Sequence, residues 1–157
     1  MSEKGENKEI NVILSQINDN GRAYFYTKGI SMMPMLKEGR DISVLVPPTR
    51  TPKRGDVVLF IRKGENSQLV LHRIIRRRDN GSYVIRGDNT YQNEPVKAEN
   101  VLALLEGFFR KGRYFDCEKS KRYRVYSFFR MFFYPLRKTF YFLPRQAAVK
   151  IKHALFG

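Results

Sequence analysis

The sequence has no tryptophan and a single cysteine, Cys117. One thiol excludes an internal disulfide, and without further cysteines it excludes a thiolate metal cluster. Such usage fits a reducing compartment. No stretch approaches the roughly 20 consecutive apolar residues that a spanning helix requires. Met1 to Glu9 is polar and charged, without the apolar segment of a secretory signal. A cytoplasmic protein is therefore expected, with peripheral attachment as its route to a membrane. Acidic residues are also scarce: 15 Asp and Glu stand against 30 Lys and Arg, a formal net charge of +15. That excess favours anionic partners, whether nucleic acid, an acidic membrane surface or an acidic peptide.

What is present suffices for one folded domain. The chain has 157 residues, of which 42% are hydrophobic and 13% aromatic, enough to bury a core despite the charge. Residues 1–8 read as a flexible N-terminus. Ile10, Ile13, Leu14 and Ile17 fall at helical spacing and predict a short amphipathic helix, ended by Asn18-Asp19-Asn20-Gly21. Strand signals follow at Arg22–Thr27, Ile42–Val46, Asp56–Ile61, Gln68–Ile75, Ser82–Arg86 and Val101–Glu106, separated by short polar turns. Six strands without intervening helices predict a mainly β fold, an antiparallel and barrel-like core.

Three residues carry the chemistry. Ser31 lies where the first strand ends, two residues after Gly29 and three before Pro34. A serine hydroxyl becomes nucleophilic only when a base takes its proton and N–H groups await the oxyanion. An exposed turn suits both needs, although a lone loop serine is more often only a turn residue. His72 sits inside the Gln68–Ile75 strand, on the face of Val70 and Ile74 by alternation. If the hairpin turns about Asn80, Asp88 lies opposite His72. A core histidine tied to an aspartate is the bland alternative. Together Ser31, His72 and Asp88 supply nucleophile, base and orienting carboxylate.

These segments resemble the signal peptidase I family of serine peptidases, which is related to the self-cleaving SOS repressors. Gly29-Ile30-Ser31-Met32-Met33-Pro34 is similar to that family's nucleophile box. Arg54-Gly55-Asp56-Val57-Val58 is similar to the Gly-Asp-Val-Val strand, Leu71-His72-Arg73 to the base box, and Gly87-Asp88-Asn89 to the Gly-Asp-Asn box. The resemblance spans residues 22–106. It implies cleavage of a peptide bond flanked by small side chains, in leader or signal-like segments, without cofactor or metal. Histidine in place of the usual bacterial lysine resembles the archaeal and endoplasmic-reticulum branch, and an imidazole needs no burial to be neutral. Gly29 stands where many bacterial members carry an oxyanion-binding hydroxyl. The oxyanion contacts are accordingly expected from backbone around Gly29, Ile30, Ser31 and Met32. No segment within these 157 residues is expected to act as the spanning anchor typical of that family.

The C-terminal segment falls outside the resemblance. Residues 9–118 are expected to form the peptidase core and residues 119–157 a basic, aromatic, helical tail. Nine basic residues and no acidic one occur from Lys121 to Gly157, whereas the first 120 residues hold 21 basic and 15 acidic, a net of +6. Val125, Phe128, Phe129, Phe132 and Phe133 form one helical stripe, broken by Pro135. A further stripe is expected after Pro144, at Ala147, Ala148, Ile151, Ala154 and Leu155. Such stripes can pack on the sheet or enter a membrane interface. The membrane reading is favoured, with Phe128, Phe129, Phe132 and Phe133 inserting and Arg122, Arg124, Arg130, Arg137 and Lys138 meeting headgroups. Nucleic acid is not expected as partner, because no recognised module appears. The competing reading is a catalytically inactive peptidase fold that binds anionic membrane or nucleic acid through this tail.

Overall fold

The computed structural model describes residues 3–64 and 67–142. The stripe expected at 147–155 lies outside the described residues. The first helix, α1, runs from Glu3 to Asn20, starting earlier than its apolar spacing indicated. Ile13 and Ile17 are buried beneath it, and Gly21 ends it with φ +68°. Eight strands follow: β1 (Ala23–Tyr26), β2 (Asp41–Val46), β3 (Val57–Arg62), β4 (Gln68–Arg77), β5 (Tyr83–Arg86), β6 (Glu94–Val96), β7 (Val101–Arg110) and β8 (Arg113–Asp116). The six expected strands all form. The two additions are edge strands, too short to register as alternating runs.

All pairings are antiparallel, in the order β1-β2-β7-β3-β4-β5-β6, with β8 on the distal half of β7. The sheet is open: β1 and β6 are its ends and do not pair with each other. The barrel-like expectation is corrected in that respect. Alternation along β3 and β7 divides the core into two layers. Leu59, Ala103 and Leu105 pack with Ile13, Ile17, Met32 and Leu36 on one face. Val58, Phe60 and Leu104 pack with Ile74, Ile85 and Val96 on the other.

After β8 comes α2 (Lys121–Phe132), capped by Ser120, whose Oγ accepts the Tyr123 N–H at 3.2 Å. A short α3 (Tyr134–Arg137) and one turn of π-helix (Lys138–Phe142) continue the arm. The inward positions of α2 are Tyr123, Tyr126 and Ser127, at spacing i, i+3 and i+4, while Val125, Phe128, Phe129 and Phe132 face outward and are exposed. The helix therefore docks through its polar-aromatic side. The phenylalanine stripe does not cover the sheet. Among the described residues, no helix is long and apolar enough to cross a membrane.

Candidate active site

The Ser31 turn is held by what surrounds it in sequence. Gly29 takes φ +73°, a left-handed conformation that favours glycine, and its N–H donates to the Glu38 carboxylate at 2.7 Å. Beyond Ser31 the chain makes a single helical turn, the Leu36 N–H reaching the Met32 carbonyl at 3.0 Å. Met32, Met35 and Leu36 drop into the core beside α1 and pin that turn. Ile30 instead projects outward, 67% exposed. Of the expected near-site residues, Gly29 shapes the turn, Met32 anchors it and Ile30 borders it. The Ser31 carbonyl accepts the Asn89 N–H at 2.7 Å, which ties the turn to the loop after β5.

His72 is buried on β4, 3% exposed, with the Phe60 ring near its own. Its Nδ1 lies 3.0 Å from Glu94 Oε1. Glu94, on the edge strand β6, also receives both forks of Arg62, at 2.5 and 2.7 Å. Burial works to raise the Glu94 carboxyl, but the hydrogen bonds and charges of His72 and Arg62 pull it down to about 2. An ionised carboxylate can only accept, so the imidazole proton resides on Nδ1 and the Nε2 lone pair is left for another proton. Nε2 points at Gly87. A Cβ placed on Gly87 would lie 2.9 Å from Nε2 and 2.7 Å from the Ser31 carbonyl oxygen. Only a glycine allows this approach, and it brings the serine turn and the imidazole together.

The expected pairing of Asp88 with His72 is corrected. The β4–β5 hairpin does turn about Asn80, with Arg77 opposite Tyr83. A bulge at Ile75 then shifts the register, so that Ile74 faces Ile85 and Arg73 faces Arg86. Continued one residue, this register sets His72 against Gly87. Asp88 falls on the face of the neighbouring Arg73, which grips it through Nε and Nη2, each at 2.8 Å. Tyr126 adds a third bond to the same carboxylate at 3.0 Å. Arg73 is 1% exposed and also donates to the Gly55 carbonyl, Tyr123 Oη and Ser127 Oγ. Burial works to raise Asp88, yet the Arg73 charge holds it below the ordinary carboxylate range. Burial works likewise to lower Arg73, and Asp88 holds it raised. Asp88 is thus half of a buried, fully hydrogen-bonded ion pair. Sequence reasoning missed Glu94, because one hairpin register cannot reach a side chain two strands away. The only sequence signal was its being the next acid after Asp88.

Ser31, His72 and Glu94 line one open cleft of about 780 Å³, with Thr27, Leu69 and Leu71 among its other walls. The remaining nucleophile candidate is elsewhere: Cys117 is buried in the core, and burial pushes its thiol up to about 12. Among the described residues, no cluster of three or more His, Cys, Asp or Glu is placed to hold a metal.

On the tail, Arg124, Phe128, Phe129, Phe132 and Phe133 are exposed as expected for surface residues. Arg130 is not. Its Nη2 donates to the carbonyls of Met33 and Asp88, at 3.0 and 2.6 Å. Arg137 likewise donates to the Asp88 carbonyl at 3.0 Å. Two of the four arginines expected at headgroups, Arg130 and Arg137, therefore clamp the loops that carry the candidate site.

No curated protein matches the chain. No solved structure matches it either. The family model described as peptidase S24-like matches residues 2–105, from α1 through the serine turn and His72 to β7, and on that match the chain belongs to the peptidase S24-like family.

Proposed function

We propose that the protein is a serine endopeptidase in which Ser31 is the nucleophile, His72 the base and Glu94 the carboxylate that orients the imidazole. One observation carries the reading. His72 is bonded at Nδ1 to an ionised carboxylate, while Nε2 faces the serine turn across a glycine that leaves the space open. A histidine buried only for packing has no need to share a cleft with a serine and a bonded carboxylate.

The geometry supports the following roles. A peptide carbonyl enters the cleft beside Ser31, and Nε2 takes the hydroxyl proton as Oγ attacks the carbonyl carbon. The imidazolium so formed is stabilised through Nδ1–H by Glu94, which stays ionised. The oxyanion is met by backbone N–H, that of Ser31 first, since Gly29 donates instead to Glu38. Collapse breaks the C–N bond, with Nε2 returning the proton to the leaving amine. Water, deprotonated by the same imidazole, then hydrolyses the acyl-enzyme and regenerates Ser31.

The substrate class comes from the resemblance to signal peptidase I: leader or signal-like peptides with small side chains flanking the cut. The cleft supports an extended peptide, because it runs along the Gln68–Leu71 end of β4, which lies beyond the segment that β5 covers. The test is a fluorophosphonate probe with mass spectrometry, followed by cleavage of peptides bearing Ala-x-Ala sites. The expected result is labelling of Ser31 and activity that Ser31→Ala abolishes while circular dichroism stays unchanged. Equal cleavage by the wild type and Ser31→Ala would refute the reading in favour of an inactive peptidase fold.

A further inference from the structure

The arm after β8 has two faces of opposite character. Its inward face is bonded to the core: Tyr126 bonds Asp88, Arg130 bonds the Met33 and Asp88 carbonyls through Nη2 while its Nε is buried without a partner among the described residues, and Tyr134 donates to the Tyr91 carbonyl while Arg86 stacks over its ring. Its outward face is apolar and unpartnered by the core. Phe128 and Phe132 are 57% and 62% exposed, and Leu136 is 54%. The rings meet one another instead: Phe128 stacks on Phe132 and Phe129 on Phe133, with centroids 5.4 and 5.5 Å apart. Exposed phenylalanines in this number mark an interaction surface.

The charge around them selects the occupant. Lys121, Arg122, Arg124 and Lys138 are exposed along the arm, and no acidic residue occurs between Lys121 and Phe142. A groove at the foot of α2 adds Lys53 and Arg54 from the β2–β3 connection, lined jointly with Arg124, Phe128 and Met131; of the acids in its wall, Asp56 and Glu106 are paired with Arg50 and Arg22, and Glu118 is the third. A second copy of a +15 chain would bring like charge against like charge at this face. A bilayer bearing anionic lipid offers phosphate to the lysines and arginines and hydrocarbon to the rings.

We propose that the outward face of α2 and α3 is a docking surface for an anionic lipid bilayer. Phe128, Phe129, Phe132 and Leu136 enter the interface, while Lys53, Arg54, Arg122 and Arg124 meet headgroups. Arg130 clamps the serine turn to the opposite side of the same helix, so docking would hold the cleft roughly one helix diameter, about 10 Å, from the lipid. The surface stands whether or not Ser31 is catalytic.

The experiment is co-sedimentation of the full chain with vesicles of phosphatidylglycerol and phosphatidylcholine, compared with pure phosphatidylcholine, at low and high salt. Variants are Phe128→Ser/Phe132→Ser for the apolar part and Arg54→Glu/Arg124→Glu for the charge. The expected result is binding to the anionic vesicles only, weakened by salt. The phenylalanine pair should weaken partitioning by roughly tenfold or more per ring removed, and the charge variant should weaken binding at low salt and reduce its salt sensitivity. Both variants should keep the wild-type circular dichroism. Absence of binding to anionic vesicles at low salt would overturn the proposal. So would unchanged binding by a folded Phe128→Ser/Phe132→Ser. Self-association that this variant relieves, without vesicle binding by the wild type, would assign the face to a second copy instead.

Discussion

Glu94 is the residue whose environment says most about the site. Its carboxylate accepts from a buried imidazole and from a two-pronged guanidinium, and it remains ionised to about pH 2. Glu94→Gln retains the size of the side chain but offers an amide that can meet Nδ1 with the wrong polarity. The favoured tautomer would then place the proton on Nε2, where it blocks proton transfer from Ser31. Turnover should fall by about 10²- to 10⁴-fold with KM little changed, read from steady-state cleavage. The same carboxylate links stability to pH. Its value in the fold, about 2, lies below the ordinary 4.5, so its contribution is complete above about pH 4.5 and is lost as pH falls through 2. Urea midpoints of wild type and Glu94→Gln should therefore differ most at pH 7 and converge towards pH 2. A gap that does not change with pH would remove Glu94 from this role.

At the scale of elements, the bulge at Ile75 is what builds the site. It turns one residue of β4 out of register, and with that slip Gly87 moves opposite His72 while Asp88 moves to Arg73. The two boxes adjacent in sequence, His72-Arg73 and Gly87-Asp88, so serve opposite faces of one hairpin. One face holds the cleft, and the other holds the ion pair on which α2 rests. Gly87→Ala tests this arrangement, since the new methyl would meet both the Ser31 carbonyl and Nε2 under 3.0 Å. A shift of either partner by a fraction of an ångström should lower kcat by about 10²-fold. The fold should persist, because β5, which ends at Arg86, is untouched; near-normal turnover in a folded Gly87→Ala would mean that the turn and the imidazole do not act together.

For the whole molecule, the arm is both lid and wiring. Its Tyr123, Tyr126 and Ser127 complete the hydrogen bonding of Arg73 and Asp88, and Arg130 spans the serine turn and the loop after β5. The matched family span ends at residue 105, before any of these groups. A chain ending at Ser120 would take from Arg73 Nη1 two of its three acceptors and from Asp88 the Tyr126 donor, a loss on the order of 1–3 kcal/mol for each buried polar group left unmet. It should unfold at lower urea than the full chain and cleave peptide poorly, as followed by fluorescence and product formation. A truncated chain of full stability and activity would reduce the arm to a surface device.

The sequence by itself determined the elements and the chemistry within reach of one segment. Alternation placed β1 to β5 and β7, helical spacing placed α1 and the phenylalanine stripe, and the boxes around Ser31 and His72 marked the two residues that the fold brings to one cleft. These signals are local, repeating every two or every three to four residues, and so survive in a string of letters. Only the tertiary structure decided that Glu94 bonds His72, that Asp88 belongs to Arg73, and that Arg130 faces inward. Each of those outcomes turns on one bulge and on which side of a sheet or helix a residue lands. A one-residue slip reverses that side without changing the pattern from which a strand is read.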